Sequence, residues 1–95
     1  MSTIIEANIK HLDEVARLFN LYRIFYEQPD DLERAYNFIK ARIEMKESII
    51  FVSDNADGTL SGFVQLYPSF CSVSTIPMLI LYDLFVSSYT RPKGI

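Results

Sequence analysis

Residues 78–95 read MLILYDLFVSSYTRPKGI. Met78 to Val86 is apolar on both faces, which predicts a strand with a central place in its sheet. Tyr82 and Asp83 interrupt the run. On a regular strand neighbouring side chains point to opposite faces, so only one of this pair is expected to face a bound ligand. From Ser87 onward the chain is polar and loop-like, closing on Arg91-Pro92-Lys93-Gly94-Ile95. A glycine here lets backbone N–H groups approach a phosphate closely. The N-terminus of a following helix adds a dipole and unpaired donors, and Arg91 and Lys93 supply countercharge. The competing reading of these residues is a solvated tail at a chain end.

Upstream, Leu60 to Tyr67 reads as a strand that Pro68-Ser69 ends, followed by a Ser/Thr-rich link from Ser69 to Thr75. Gly62 inside that strand predicts a bulge or a close backbone approach. Asp54 to Thr59 is a turn with Asp57-Gly58 as its strongest signal, and Ser48 to Ser53 is the strand that it returns. The pattern before Ser48 is helical. Thr3 to Ala7 reads as a first short strand, and Asn8 is placed to cap a helix. Apolar residues then recur at Ile9, Leu12, Val15, Ala16, Phe19, Tyr22 and Tyr26, which gives one buried face. Pro29 breaks this helix. Asp30 and Glu33 stand at capping-box spacing before a second helix, whose stripe is Leu32, Ala35, Tyr36, Ile39 and Ile43. The order of strand, two helices and three strands predicts a single α+β domain over residues 1–95 with a mainly antiparallel sheet.

Composition narrows the function classes. The chain has 95 residues, 49% of them hydrophobic. A chain of this size hides only about 60–65% of its unfolded surface, so a missing packing partner matters. Net charge is −3 and the pI is about 5.0. The nine Lys and Arg residues form no basic stripe of the kind that neutralises phosphates, so nucleic acid is not an expected partner. A single cysteine, Cys71, excludes an internal disulfide. No basic region followed by an apolar run opens the chain, and no apolar stretch nears the about 18–20 residues that span a bilayer. The expectation is a soluble, cytoplasmic protein without a membrane partner. No group of residues has metal-ligand spacing.

The final strand and loop, Leu81-Tyr82-Asp83-Leu84-Phe85-Val86 and then Arg91-x-x-Gly94-x, resemble the signature of the GNAT superfamily of N-acetyltransferases. The upstream order of elements matches too, as do phrases such as Leu18-Phe19-x-x-Tyr22 and Gly62-Phe63-x-Gln65-Leu66-Tyr67-Pro68. The resemblance covers essentially the whole chain. It implies the N-terminal half of the GNAT fold, β1-α1-α2-β2-β3-β4, with the C-terminal half absent. It also implies acetyl-CoA as cosubstrate and a primary amine of a small molecule or peptide as acceptor. Arg91, Lys93, Gly94 and Ile95 then belong to the loop around the coenzyme's pyrophosphate. The backbone of Leu84, Phe85 and Val86 pairs with the pantetheine arm, one N–H polarising the thioester carbonyl. With half of the cofactor site absent, the 95-residue chain alone is expected to be inactive or nearly so.

Candidate roles follow from the same resemblance, each beside a plainer one. Asp83 is a general base, directly or through water, or a structural carboxylate. Tyr82 is the second catalytic candidate, or a pocket-lining or core aromatic. Tyr26, Gln65, Tyr67 and Phe70 line an acceptor pocket, whereas Tyr22 reads as packing. Cys71 has no base beside it and reads as an inert thiol. A different class of function is also open. Without a following strand, β4 offers an exposed edge for pairing. A homodimer or a complementing C-terminal fragment would cover it, and the chain would then act as an interaction or oligomerisation module.

Overall fold

The computed structural model describes residues 2–87. Strand β1 (Thr3–Glu6) leads through a short 3-10 turn (Ile9–His11) into helix α1 (Leu12–Phe25), followed by α2 (Leu32–Glu44), β2 (Ile49–Asp54), β3 (Leu60–Cys71) and β4 (Ile76–Val86). The strands form one antiparallel sheet in the order β1-β2-β3-β4. Among the described residues, no helix is long and apolar enough to cross a membrane.

Both helices lie on one face of the sheet, because alternation sends one apolar row there. Ile5, Val52, Phe63 and Phe85 stand in register across the four strands. The α1 stripe of Leu12, Val15, Leu18 and Phe19 meets that row, and Ala35 and Ile39 of α2 complete the core. Ile4, Phe51, Val64, Leu84 and Val86 alternate to the other face. No described element covers that face, and these residues border a shallow apolar depression of about 130 Å³.

Asn8 caps the 3-10 turn that leads into α1, whereas the N-cap of α1 itself, His11, makes no side-chain cap bond. The Asn8 side chain accepts from the Lys10 N–H at 2.9 Å, and the Asn8 N–H donates to His11 Nδ1 at 3.0 Å. Glu14 then ties the helix to the sheet. Its carboxylate accepts from Arg17 at 2.8 Å and from the Leu60 N–H at 2.9 Å. The Arg17 guanidinium, and next the Leu60 N–H, hold the Glu14 carboxyl below its usual range.

Four expectations are corrected. The cap of α2 is Asp31, which accepts from the Arg34 N–H at 3.0 Å, and not Asp30. Asp30 is taken instead by the Asn20 amide at 2.8 Å. β3 does not stop at Pro68 but runs on to Cys71. β2 pairs only as far as Leu66, so Pro68 needs no donor on that side. β4 is an edge strand among the described residues, not a central one. Finally, the β3–β4 register shifts between Gln65 and Leu66: Gln65 faces Asp83 and Leu66 faces Leu81, leaving Tyr82 as the extra residue of a bulge. The alternation assumed for Tyr82 and Asp83 is broken at that point.

Gly62 behaves as its place in β3 predicts. A Cβ there would meet the Phe85 carbonyl oxygen at 2.8 Å, so only a glycine lets β3 and β4 close at this level.

Candidate active site

The site is built on the second row of the helix-facing side, where Ile50, Gln65 and Asp83 stand side by side on β2, β3 and β4. Gln65 is fully buried. A buried amide must be satisfied on both ends. Its Nε2 donates to Asp83 Oδ2 at 2.9 Å, and its Oε1 accepts from Ser48 Oγ at 2.7 Å. A carboxylate only accepts, so Asp83 sets which way the amide points.

Asp83 is half-buried, and the phenols of Tyr22 and Tyr67 feel its charge. Tyr22 comes from the last turn of α1. Burial, and next its hydroxyl's interaction with Asp83, push its ionisation up to about 12. Tyr67, two residues beyond Gln65 on the same face of β3, is also raised, first by burial and then by the Asp83 charge. Tyr26 meets the Tyr22 ring edge-on at 5.2 Å. The bulge turns Tyr82 toward the same place, with its ring edge-on to Tyr67 at 5.2 Å. Beneath them Phe19, Tyr22, Phe63 and Phe85 interlock in tilted and edge-on contacts.

The open edge of β4 adjoins this cluster. The Ser87 N–H donates to the Ser61 carbonyl at 2.9 Å. Antiparallel alternation then directs the polar backbone groups of Phe85 and Asp83 toward β3. Those of Leu84 and Val86 point to the edge that no other described strand occupies. A carboxylate, a ring of phenols and a free row of backbone donors therefore lie within a few residues of one another.

The sequence-selected residues divide accordingly. Asp83, Tyr82, Tyr67 and Tyr26 come together, with Leu84, Phe85 and Val86 next to them. Gln65 belongs to the cluster as a support under Asp83, its side chain being out of reach of solvent. Phe70 stands apart, opposite Pro77 on the outer part of the β3–β4 hairpin and 79% exposed. Arg91, Lys93, Gly94 and Ile95 lie outside the described residues. Two participants were not selected from sequence. Tyr22 was read as packing, and its ring does pack, but the charge of Asp83 also helps to raise its ionisation. Ser48 gave no signal beyond its place at the start of a strand. Cys71 is a half-buried free thiol on the far part of the hairpin. No group of His, Cys, Asp and Glu among the described residues is arranged to hold a metal ion.

Comparison with known proteins gives a consistent set of relatives. The chain is 50% identical over 80 residues to an uncharacterized N-acetyltransferase of Bacillus subtilis, YhfO, covering 84% of this chain and 53% of that protein. The crystal structure of a probable acetyltransferase superposes with a TM-score of 0.86 at 39% identity, covering 94% of this chain and 60% of the other. The structure of a predicted acetyltransferase with acetyl-CoA from Clostridium acetobutylicum shares the fold, with a TM-score of 0.72 at 9% identity, over 100% of this chain and 66% of that one. No protein-family model matches the sequence. The chain thus spans about half the length of the curated relative described, at 53%.

Proposed function

This chain is a homologue of GNAT-type N-acetyltransferases over the N-terminal half of their fold, and from that premise we propose that it forms the acceptor side, and one flank of the acetyl-CoA channel, of an enzyme that acetylates a primary amine of a small molecule or peptide. One observation supports this above the others: the bulge at Tyr82 gathers Asp83 and the tyrosines at one end of a β4 edge whose Leu84 and Val86 backbone groups are free of β3.

The residues present suit acetyl-CoA. An amide-bearing arm can add to an open strand edge by backbone pairing. The Gly62 contact keeps β4 tight against β3, so that edge is held in place. Leu84, Phe85 and Val86 hold the arm in this account, and Arg91, Lys93, Gly94 and Ile95 hold the diphosphate. Bound there, acetyl-CoA supplies the acetyl group as a thioester. Asp83 holds the acceptor's ammonium and takes one proton from it onto a carboxylate oxygen, directly or through a water, which leaves the neutral amine. Tyr82 borders the reacting nitrogen, Tyr26 and Tyr67 wall the acceptor, and Gln65 fixes Asp83 from below. We place the enzyme in the cytoplasm. The 95-residue chain alone works poorly in this account, since its match spans only 53% of the Bacillus relative.

Thermal unfolding with and without millimolar acetyl-CoA tests the proposal. A ligand bound only by the folded form raises the midpoint, and an unchanged midpoint contradicts it. The open β4 edge and the bare apolar face favour a second reading, an interaction module that pairs as a homodimer or with a separate C-terminal fragment. Light scattering that finds a monomer which no C-terminal fragment binds would remove that reading.

A further inference from the structure

Two pairs of tyrosine rings lie near Asp83, each with one ring that interacts with its charge. Tyr22 and Tyr26 approach from the end of α1, and Tyr67 and Tyr82 from the hairpin. The inner ring of each pair feels the charge of Asp83. The outer rings, Tyr26 and Tyr82, are 60% and 63% exposed and frame the approach. The donor that Asp83 receives from Gln65 is neutral, and no ion pair among the described residues offsets its charge. Arg42 is the basic group that acts on Tyr67. Its guanidinium is already committed, to Glu47 at 2.7 Å and over the Phe38 ring at 4.4 Å.

Ring faces attract cations through their quadrupole, and an uncompensated carboxylate among them adds a full charge. The same surroundings repel a second carboxylate. We propose that the acceptor is an alkylammonium without a carboxylate, of the diamine and polyamine class, rather than an amino acid recognised at its carboxylate. This rests on the acetyltransferase reading for its biological use, but the selectivity belongs to the four tyrosines and Asp83 alone.

Calorimetric titration of the chain without acetyl-CoA tests it, with 1,5-diaminopentane as the probe. Lysine adds a carboxylate to that stem, and 1,5-pentanediol removes its charges. The diamine is expected to bind at least about tenfold more tightly than either. Tyr82 is exposed, so its substitution spares the core. Tyr82→Leu is expected to weaken the diamine about three- to tenfold, whereas Tyr82→Phe, which keeps the ring, leaves it unchanged. Asp83→Asn is expected to erase the preference for the diamine over the diol. Equal binding of diamine and diol, tighter binding of lysine, or equal losses in the two Tyr82 variants would overturn the proposal. Should Asp83→Asn fail to fold, the Tyr82 pair and the three ligands decide it. Diamine binding without any acetyl transfer by a complete relative would remove the enzyme and leave the site. Transfer without cation selectivity would do the reverse.

Discussion

The Gln65 amide donates to the Asp83 carboxylate at 2.9 Å from a position that solvent does not reach. It is the only link the described structure makes between the buried layer under the sheet and the carboxylate that faces the tyrosines through a side-chain amide, and its other end is anchored on Ser48. Gln65→Leu fills the space but leaves Ser48 and Asp83 without their partner. The expected cost is about 1–3 kcal/mol of stability, read from the urea midpoint. A variant as stable as the parent would show that the amide is not holding Asp83.

Gly62→Ala tests the closure of β3 on β4. The added methyl must displace the Phe85 backbone, since the atom it meets at 2.8 Å is a carbonyl oxygen and not the end of a flexible side chain. We expect a loss of about 1–3 kcal/mol and weaker acetyl-CoA binding, because the shifted strand is the one that pairs with the cosubstrate. Unchanged stability and binding would mean that the edge is not held by this contact.

Acid sensitivity follows from Glu14. Its ionisation is lowered in the folded state, so its contribution is complete above the unfolded value near 4.5 and disappears as the pH falls through the lower folded value. Glu14→Gln is expected to cost about 1 kcal/mol at pH 7, a modest figure because the ion pair is partly exposed. Parent and variant should converge in denaturation curves taken below the folded value. A gap that persists there would assign the effect to packing.

Alkaline behaviour follows from Tyr22. Its folded ionisation lies at about 12, against an ordinary value of 10.0. The unfolded chain therefore loses this proton first, and stability falls as the pH rises from about 10 to 12. Ultraviolet titration should show Tyr22 and Tyr67 ionising later than the ordinary phenol, and the step at about 12 should vanish in Tyr22→Phe. A step at about 12 that survives the substitution would assign it to another phenol.

Much of this was legible in the sequence. The helical period of Val15, Phe19 and Tyr22 and the close approach at Gly62 each follow from a local rule. What was not legible depends on competition between elements. Asp30 and Asp31 are equivalent as helix caps until Asn20 claims the first of them. Pro68 reads as a strand end, and becomes part of β3 only because β2 has already stopped pairing. No residue type announces the bulge at Tyr82, which arises from register between two strands. Gln65 reads as a pocket residue because the resemblance puts the β3–β4 region in the acceptor wall. Its use as a buried support needed Ser48 and Asp83 to be brought to either side of it.

The central claim is that acetyl-CoA lies along the free edge of β4 beside Asp83. Amide NMR of the labelled chain, titrated with acetyl-CoA into the millimolar range, tests it most directly. The account predicts the largest shifts at the outward-facing amides of Leu84 and Val86, with a smaller one at Phe85, whose N–H is directed at β3. Shifts confined to α2 or the β2–β3 turn, or none along β4, would contradict it.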